Sequence, residues 1–126
     1  MTRTLTVGIA SYEDMKARTM AIARGEHRPR KGEPTVWFPS LESLAKVLSA
    51  RNQALLELIA ERKPSSLGEL ETISGRAKSN LSRTLRTMER YGLVELTRDN
   101  QRRLIPRVPY SRIKLDMPLV SQKAVA

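Results

Sequence analysis

Lys78, Ser79, Asn80, Ser82, Arg83, Arg86 and Arg90 crowd into one short stretch, KSNLSRTLRTMERYGLVEL. These residue types do little covalent chemistry. They are donors and cations, suited to holding anions and to reading the edges of planar acceptors. A guanidinium fork binds two acceptors at once, as a phosphate or the major-groove edge of guanine presents them. Serine, asparagine and lysine add contacts to phosphate oxygens. At 3.6 residues per turn, Leu81, Leu85 and Met88 fall on one apolar stripe at i, i+4 and i+7. Ser79, Ser82, Arg83, Arg86 and Arg90 fall opposite. Gly92 stands where a helix end wants a residue tolerant of positive φ, and Leu93-Val94-Glu95-Leu96 reads as a strand. One such helix, taken alone, is equally consistent with an ordinary solvated face.

Those side chains need a frame, and the neighbouring residues supply one. Pro39-Ser40 opens a helix with Leu41, Leu44, Ala45 and Leu48 as its apolar stripe. NQALLELIAER carries Ala54, Leu55, Leu58 and Ile59 inward, and residues 49–51 leave open whether this is one helix or two. Pro64 ends the run. Ser66 and Glu69 form a capping box for a short helix, LGELETIS, with Leu67, Leu70 and Ile73 inward. GRAK then turns into the basic helix. Beyond Gly92, LVELTR and RLIPRV flank a polar DNQR tip and read as a hairpin, with Pro106 confining the second strand to an edge. The order helix, helix, basic helix, hairpin is that of a winged helix-turn-helix, whose second motif helix enters the major groove. The expected fold class is mainly α with a small β component. Within it Arg83 and Arg86 are candidates for base edges. Lys78, Ser79, Asn80 and Ser82 lie near a helix N-terminus, which attracts phosphate. Arg98, Arg102 and Arg103 are candidate wing contacts to the backbone or minor groove.

The N-terminal part reads differently. TLTVGIA alternates Leu5, Val7 and Ile9 as a short strand. Ser11, with Asp14 three residues on, starts a helix that places Tyr12, Met15, Thr19 and Ile22 on one face and ends at Gly25. HRPRKGEP is a basic linker and TVWF a brief strand. YSRIKLDMPLV alternates Ile113, Leu115 and Met117 as a possible final strand. The expected organisation is a strand–helix unit at 1–25 for dimerisation or partner binding, a linker at 26–34, the winged helix-turn-helix domain at 35–120 and a loose tail at 121–126. Some twenty residues are too few to bury a core alone. Their apolar side must meet the winged helix, a second subunit or a partner. A homodimer on a two-fold site is expected, because one domain offers the groove a single short helix. Tyr12, Met15 and Ile22, with Leu5, Val7 and Ile9, are the residues available to bury between subunits.

Charge supports a polyanionic partner. The formal net charge is +10, and it is uneven. Residues 76–107 hold nine basic and three acidic side chains, whereas 41–74 hold four and five. A nucleic-acid footprint produces that contrast. No apolar run approaches the roughly 18 residues of a membrane span, and the start lacks a signal-peptide core. A cytoplasmic protein with no membrane partner is expected. The chain has no cysteine and one histidine, His27 in the linker, which leaves no thiolate metal site. There is no Gly-rich phosphate loop, HExxH or cysteine nucleophile. Neither an enzyme, a metal nor a cofactor is expected. RNA readers show aromatic stacking platforms, whereas Trp37 and Phe38 precede the helices, where packing accounts for them.

SNLSRTLRTMERYGLVEL resembles the recognition helix and wing start of MarR-like winged-helix regulators. The longer pattern from FPSLESLAKVLSARNQALLELIAERKPSSLGELE through that helix, with TVGIASYEDMKARTMAIARGE before it, is similar to a family of small bacterial and archaeal transcriptional regulators. Members of that family often resemble antitoxins of type II toxin–antitoxin pairs. The resemblance implies a DNA-binding repressor of its own promoter and a possible cognate toxin as partner. One departure is that Ala77 stands where such helices open with Ser or Thr, so the first N–H groups need another acceptor.

Overall fold

The computed structural model describes residues 3–120, so the tail expected at 121–126 lies outside the described residues. In chain order the elements are β1 (Thr4–Ile9), α1 (Tyr12–Ala23), β2 (Val36–Phe38), α2 (Leu41–Val47), α3 (Ala50–Arg62), α4 (Leu67–Ser74), α5 (Lys78–Arg90), β3 (Glu95–Arg98), β4 (Leu104–Arg107) and β5 (Arg112–Asp116). The mixed, mainly helical class is as the sequence implies. Local chemistry sets most boundaries. Ser40, Ser49 and Ser66 accept hydrogen bonds from the N–H groups of Ser43, Asn52 and Glu69, at 3.1, 3.2 and 3.1 Å, and thereby start α2, α3 and α4. Ser49 thus resolves residues 41–62 into two helices.

The core is a single cluster. Leu44, Leu55, Ile59, Leu67, Leu70, Leu81, Leu85 and Met88 from the helices bury together with Leu5 and Val7 of β1 and Phe38 of β2. Leu41 and Ala45 are exposed instead, and Val47 and Leu48 share the inward side of α2 with Leu44. Ala54 is exposed as well.

The N-terminal strand is not a separable unit. β1 is the middle of a three-stranded sheet, pairing in parallel with β2 on one side and β5 on the other. Parallel neighbours need a crossover, and α1 with the 26–34 segment provides it between β1 and β2. Leu5 and Val7 are 3% and 0% exposed, so they are already spent on the core and unavailable between subunits. Two strands that flank the winged helix in sequence thus close around β1.

The 26–34 linker is pinned to the rest of the fold. Glu33 accepts a 3.0 Å bond from Arg18 and sits 3.3 Å from His27, and Pro34 is buried. Desolvation would raise the Glu33 pKa, but hydrogen bonds from Arg18, the Arg30 backbone and His27 together hold it below the usual carboxylate value. Arg18 also lies over the Trp37 ring, 5.2 Å from its centroid, a cation–π contact. The ring packs where Gly8 leaves room: a Cβ there would come within 2.5 Å of it. This changes the apolar face expected for α1. Met15 and Ile22 are half-buried together with Arg18, while Thr19 is exposed and Tyr12 is 80% exposed.

Candidate nucleic-acid interface

Helix α5 carries most of the residues singled out above, and its placement follows from its amphipathicity. Leu81, Leu85 and Met88 are each 0% exposed. At about 100° per residue the opposite side is Ser79, Arg83, Arg86 and Arg90, all exposed, with Ser82 half-buried at its margin. Among the described residues, Arg83, Arg86 and Arg90 take part in no ion pair within 4 Å.

Both ends of α5 are fixed. At its C-terminus, Gly92 takes φ 73°. Leu93 N–H donates to the Met88 carbonyl at 2.9 Å and Gly92 N–H to that of Glu89 at 2.9 Å. These are the paired bonds of a Schellman turn, with Met88 and Leu93 buried as its hydrophobic contact. The turn swings Leu93 and Val94 into the core, so β3 begins at Glu95 rather than at Leu93. Phe38 stacks on Tyr91 with ring centroids 3.9 Å apart, which ties this end to the parallel sheet. At the N-terminus, Ala77 offers no side-chain cap. The acceptor comes from α4: the Glu71 carboxylate takes the Lys78 N–H at 3.0 Å. The acceptor that Ala77 cannot supply thus comes from the preceding helix. Ser74 accepts from the Arg76 N–H at 3.2 Å.

The turn between α4 and α5 contains a group that sequence reasoning passed over. Arg76 is only 8% exposed. Its guanidinium donates to Asn80 Oδ1 at 2.9 and 2.7 Å, to Asn52 Oδ1 at 3.0 Å and to Thr84 Oγ1 at 3.2 Å. All its side-chain partners are neutral. Burial first, and the nearby Arg51 charge second, lower its pKa from the usual arginine value. Asn80, expected at the phosphate end of the helix, is therefore half-buried and turned into this network. The only hint in the sequence is an arginine in a turn, with Asn and Thr four and eight residues on.

The wing is a β3–β4 hairpin that pairs Glu95 with Arg107 and Arg98 with Leu104. Asp99 organises its tip. It accepts from the N–H groups of Gln101 and Arg103, each at 2.8 Å, and from Arg103 Nε at 2.7 Å. The Arg103 backbone first, with its side chain and the Gln101 N–H, outweighs desolvation and lowers the Asp99 pKa. Arg102 turns the chain with φ 63°, and Arg98 donates to its carbonyl at 2.7 Å. Arg107, in turn, donates to the Pro64 carbonyl at 3.0 Å and locks the wing to the α3–α4 loop.

The structure thus divides the expected site residues. Lys78, Arg98, Arg102 and Arg103 line one groove, beside Ser66 and Gly68 at the start of α4. Arg83 lies away from it, in a second groove with Lys46, Asn52, Thr84 and Thr87. Lys46 was not singled out from sequence, because an isolated lysine on an amphipathic helix carries no distinguishing signal. No helix among the described residues is long and apolar enough to cross a membrane.

Comparison with known proteins gives one family. The HVO_A0114 family model matches residues 47–115, more than half of the chain. Among solved structures, the crystal structure of the predicted DNA-binding transcriptional regulator from E. coli is similar, at 24% identity and a TM-score of 0.47, over 75% of this chain and 84% of that one. At that level the likeness decides neither fold nor function. No curated protein matches.

Proposed function

The chain belongs to the HVO_A0114 family, and we propose that it is a sequence-specific DNA-binding transcriptional regulator. One observation carries the reading: α5 sets an exposed row of Ser79, Arg83, Arg86 and Arg90 directly opposite a stripe wholly inside the core. A helix so presented, with arginines on the wing beside it, suits major-groove entry flanked by backbone contacts. Arg83 and Arg86 read base edges. Lys78, Ser79 and Ser82 meet phosphates, and Arg98, Arg102 and Arg103 hold the adjacent backbone. Asn80 acts through Arg76, by holding the turn, rather than by direct contact.

The finer reading is an autorepressing antitoxin that works as a homodimer and has a cognate toxin as partner. Its support is the sequence resemblance described above, together with apolar side chains that the fold leaves uncovered. Tyr12, Met20, Ile113, Leu115 and Met117 are 80%, 43%, 37%, 41% and 39% exposed. If holding a partner protein were the main role, DNA binding would be secondary.

Fluorescence anisotropy on DNA selected from a random pool tests the first reading, and on the protein's own promoter the second. Arg83→Ala and Arg86→Ala should each lose roughly 1–3 kcal/mol of specific binding and relax the preference at one position. Arg98, Arg102 and Arg103 variants should weaken specific and random DNA alike and flatten the salt dependence by about one unit of slope per contact. Selection that returns no motif, with affinity indifferent to Arg83 and Arg86, refutes the regulator. Co-purification with the product of the adjacent gene tests the antitoxin.

A further inference from the structure

Strand β5 is an edge. It pairs with β1 on one side, with Ile113 beside Leu5 and Leu115 beside Val7, and among the described residues no strand pairs with its other side. Paired residues of a sheet share a face, so Ile113 and Leu115 lie on the core side of the sheet. Yet they are 37% and 41% exposed, and Met117 is 39% exposed, where Leu5 and Val7 are 3% and 0%. The apolar face therefore runs past the edge of the helical layer. All of β5 is exposed, and it carries no proline or glycine to blunt pairing. Alongside lies an open groove of about 460 Å³, lined in part by Leu48, Leu56, Leu93, Val108, Tyr110 and Ile113.

We propose that β5 pairs antiparallel with β5 of a second copy, about a two-fold axis perpendicular to the sheet and beside Leu115. This deepens the homodimer reading by naming its surface. A perpendicular two-fold keeps each face on its own side, so the axis must pass beside a residue and not between two. Centred on Ile113, it would set Arg112 against Lys114. Centred on Lys114 or Asp116, it would set that charge against itself. Centred on Leu115, it opposes Lys114 to Asp116 of the second copy, Ile113 to Met117 and Leu115 to Leu115. Only this register joins opposite charges on one face and an unbroken apolar row on the other, with no like pair. The result is a continuous six-stranded sheet with two copies of α5.

Because the chain has no cysteine, Leu115→Cys in the full-length protein is a clean probe. Residues opposed on a two-fold bring their Cβ atoms within reach of a disulfide, so mild oxidation should give a covalent dimer, whereas Tyr12→Cys should not. Charge exchange tests the register by sedimentation. Lys114→Asp and Asp116→Lys should each raise the dimer Kd by about tenfold, and the double exchange should restore it. A monomeric wild type, a dimer indifferent to Leu115→Arg, or a double exchange that fails to rescue overturns the proposal. Anisotropy on a half-site is run in parallel on Leu115→Arg. Retained weak binding shows that the DNA reading stands independently of the outcome for β5.

Discussion

Arg76 joins α3 to α5 through one side chain, and removing it should loosen the helix-turn-helix from within. The guanidinium bridges Asn52 of α3 to Asn80 and Thr84 of α5 by four bonds of 2.7–3.2 Å. Hydrogen bonds to a charged group contribute about 1.5–3 kcal/mol each net of the bonds to water they replace, and burying a guanidinium without a counter-charge offsets several kcal/mol of that. The deciding quantity is what truncation leaves behind. Arg76→Ala strands the Asn52 and Asn80 carbonyl oxygens, both half-buried, at about 1 kcal/mol each, and loses the packing of the alkyl stem. The expected destabilisation is about 2–4 kcal/mol, a fall in Tm of roughly 8–15 °C for a domain of this size. Arg76→Met keeps the stem and should lose about 2 kcal/mol. Arg76→Lys can satisfy one asparagine but not both, and should fall between wild type and Met. Urea unfolding measures this as a lower midpoint at constant slope. A cycle with Asn52→Ala should show coupling above about 0.5 kcal/mol. A midpoint unchanged within about 0.5 kcal/mol, or an Arg76→Met variant more stable than wild type, would mean that desolvation outweighs the network and that Arg76 does not stabilise the domain.

Three further outcomes follow from the same structure. Val7→Ala should destabilise by about 2–4 kcal/mol, and a chain beginning at Gly32 should not fold, because β1 is the sheet's centre; a cooperative thermal transition in that truncation would restore the two-unit organisation. Glu71→Ala should destabilise by about 0.5–2 kcal/mol through the lost cap of α5, read by hydrogen exchange at Lys78, and a slower-exchanging Lys78 amide would contradict it. Asp99, with its pKa depressed by the Arg103 and Gln101 bonds, contributes wing order that is fully present above its unfolded value and lost as pH falls through its lower folded value; the Gln101 and Arg103 amide shifts should therefore hold through ordinary carboxylate titration and move below it, and Asp99→Asn should abolish that transition.

Much of this protein was legible because the deciding interactions are local. Serine caps bind an N–H three residues on, the α5 stripe repeats within one helix, and the Schellman turn spans Met88 to Leu93. Such contacts leave a pattern in adjacent residues, and the winged helix with its basic face follows from them. Tertiary structure alone decided which strands meet. Alternation in TLTVGIA and RIKLD gives each strand a face but no neighbour, and the two pair across more than a hundred residues, with Ser111 donating to the Arg3 carbonyl at 2.9 Å. That pairing turned an expected N-terminal appendage into the middle of the core. The fate of Asn80 was equally invisible, since its partner is shared with Asn52, a residue on another helix. A side chain's type sets which bonds it can make. Which bond it makes depends on what the rest of the chain brings within 3 Å, and no short-range pattern encodes that distance.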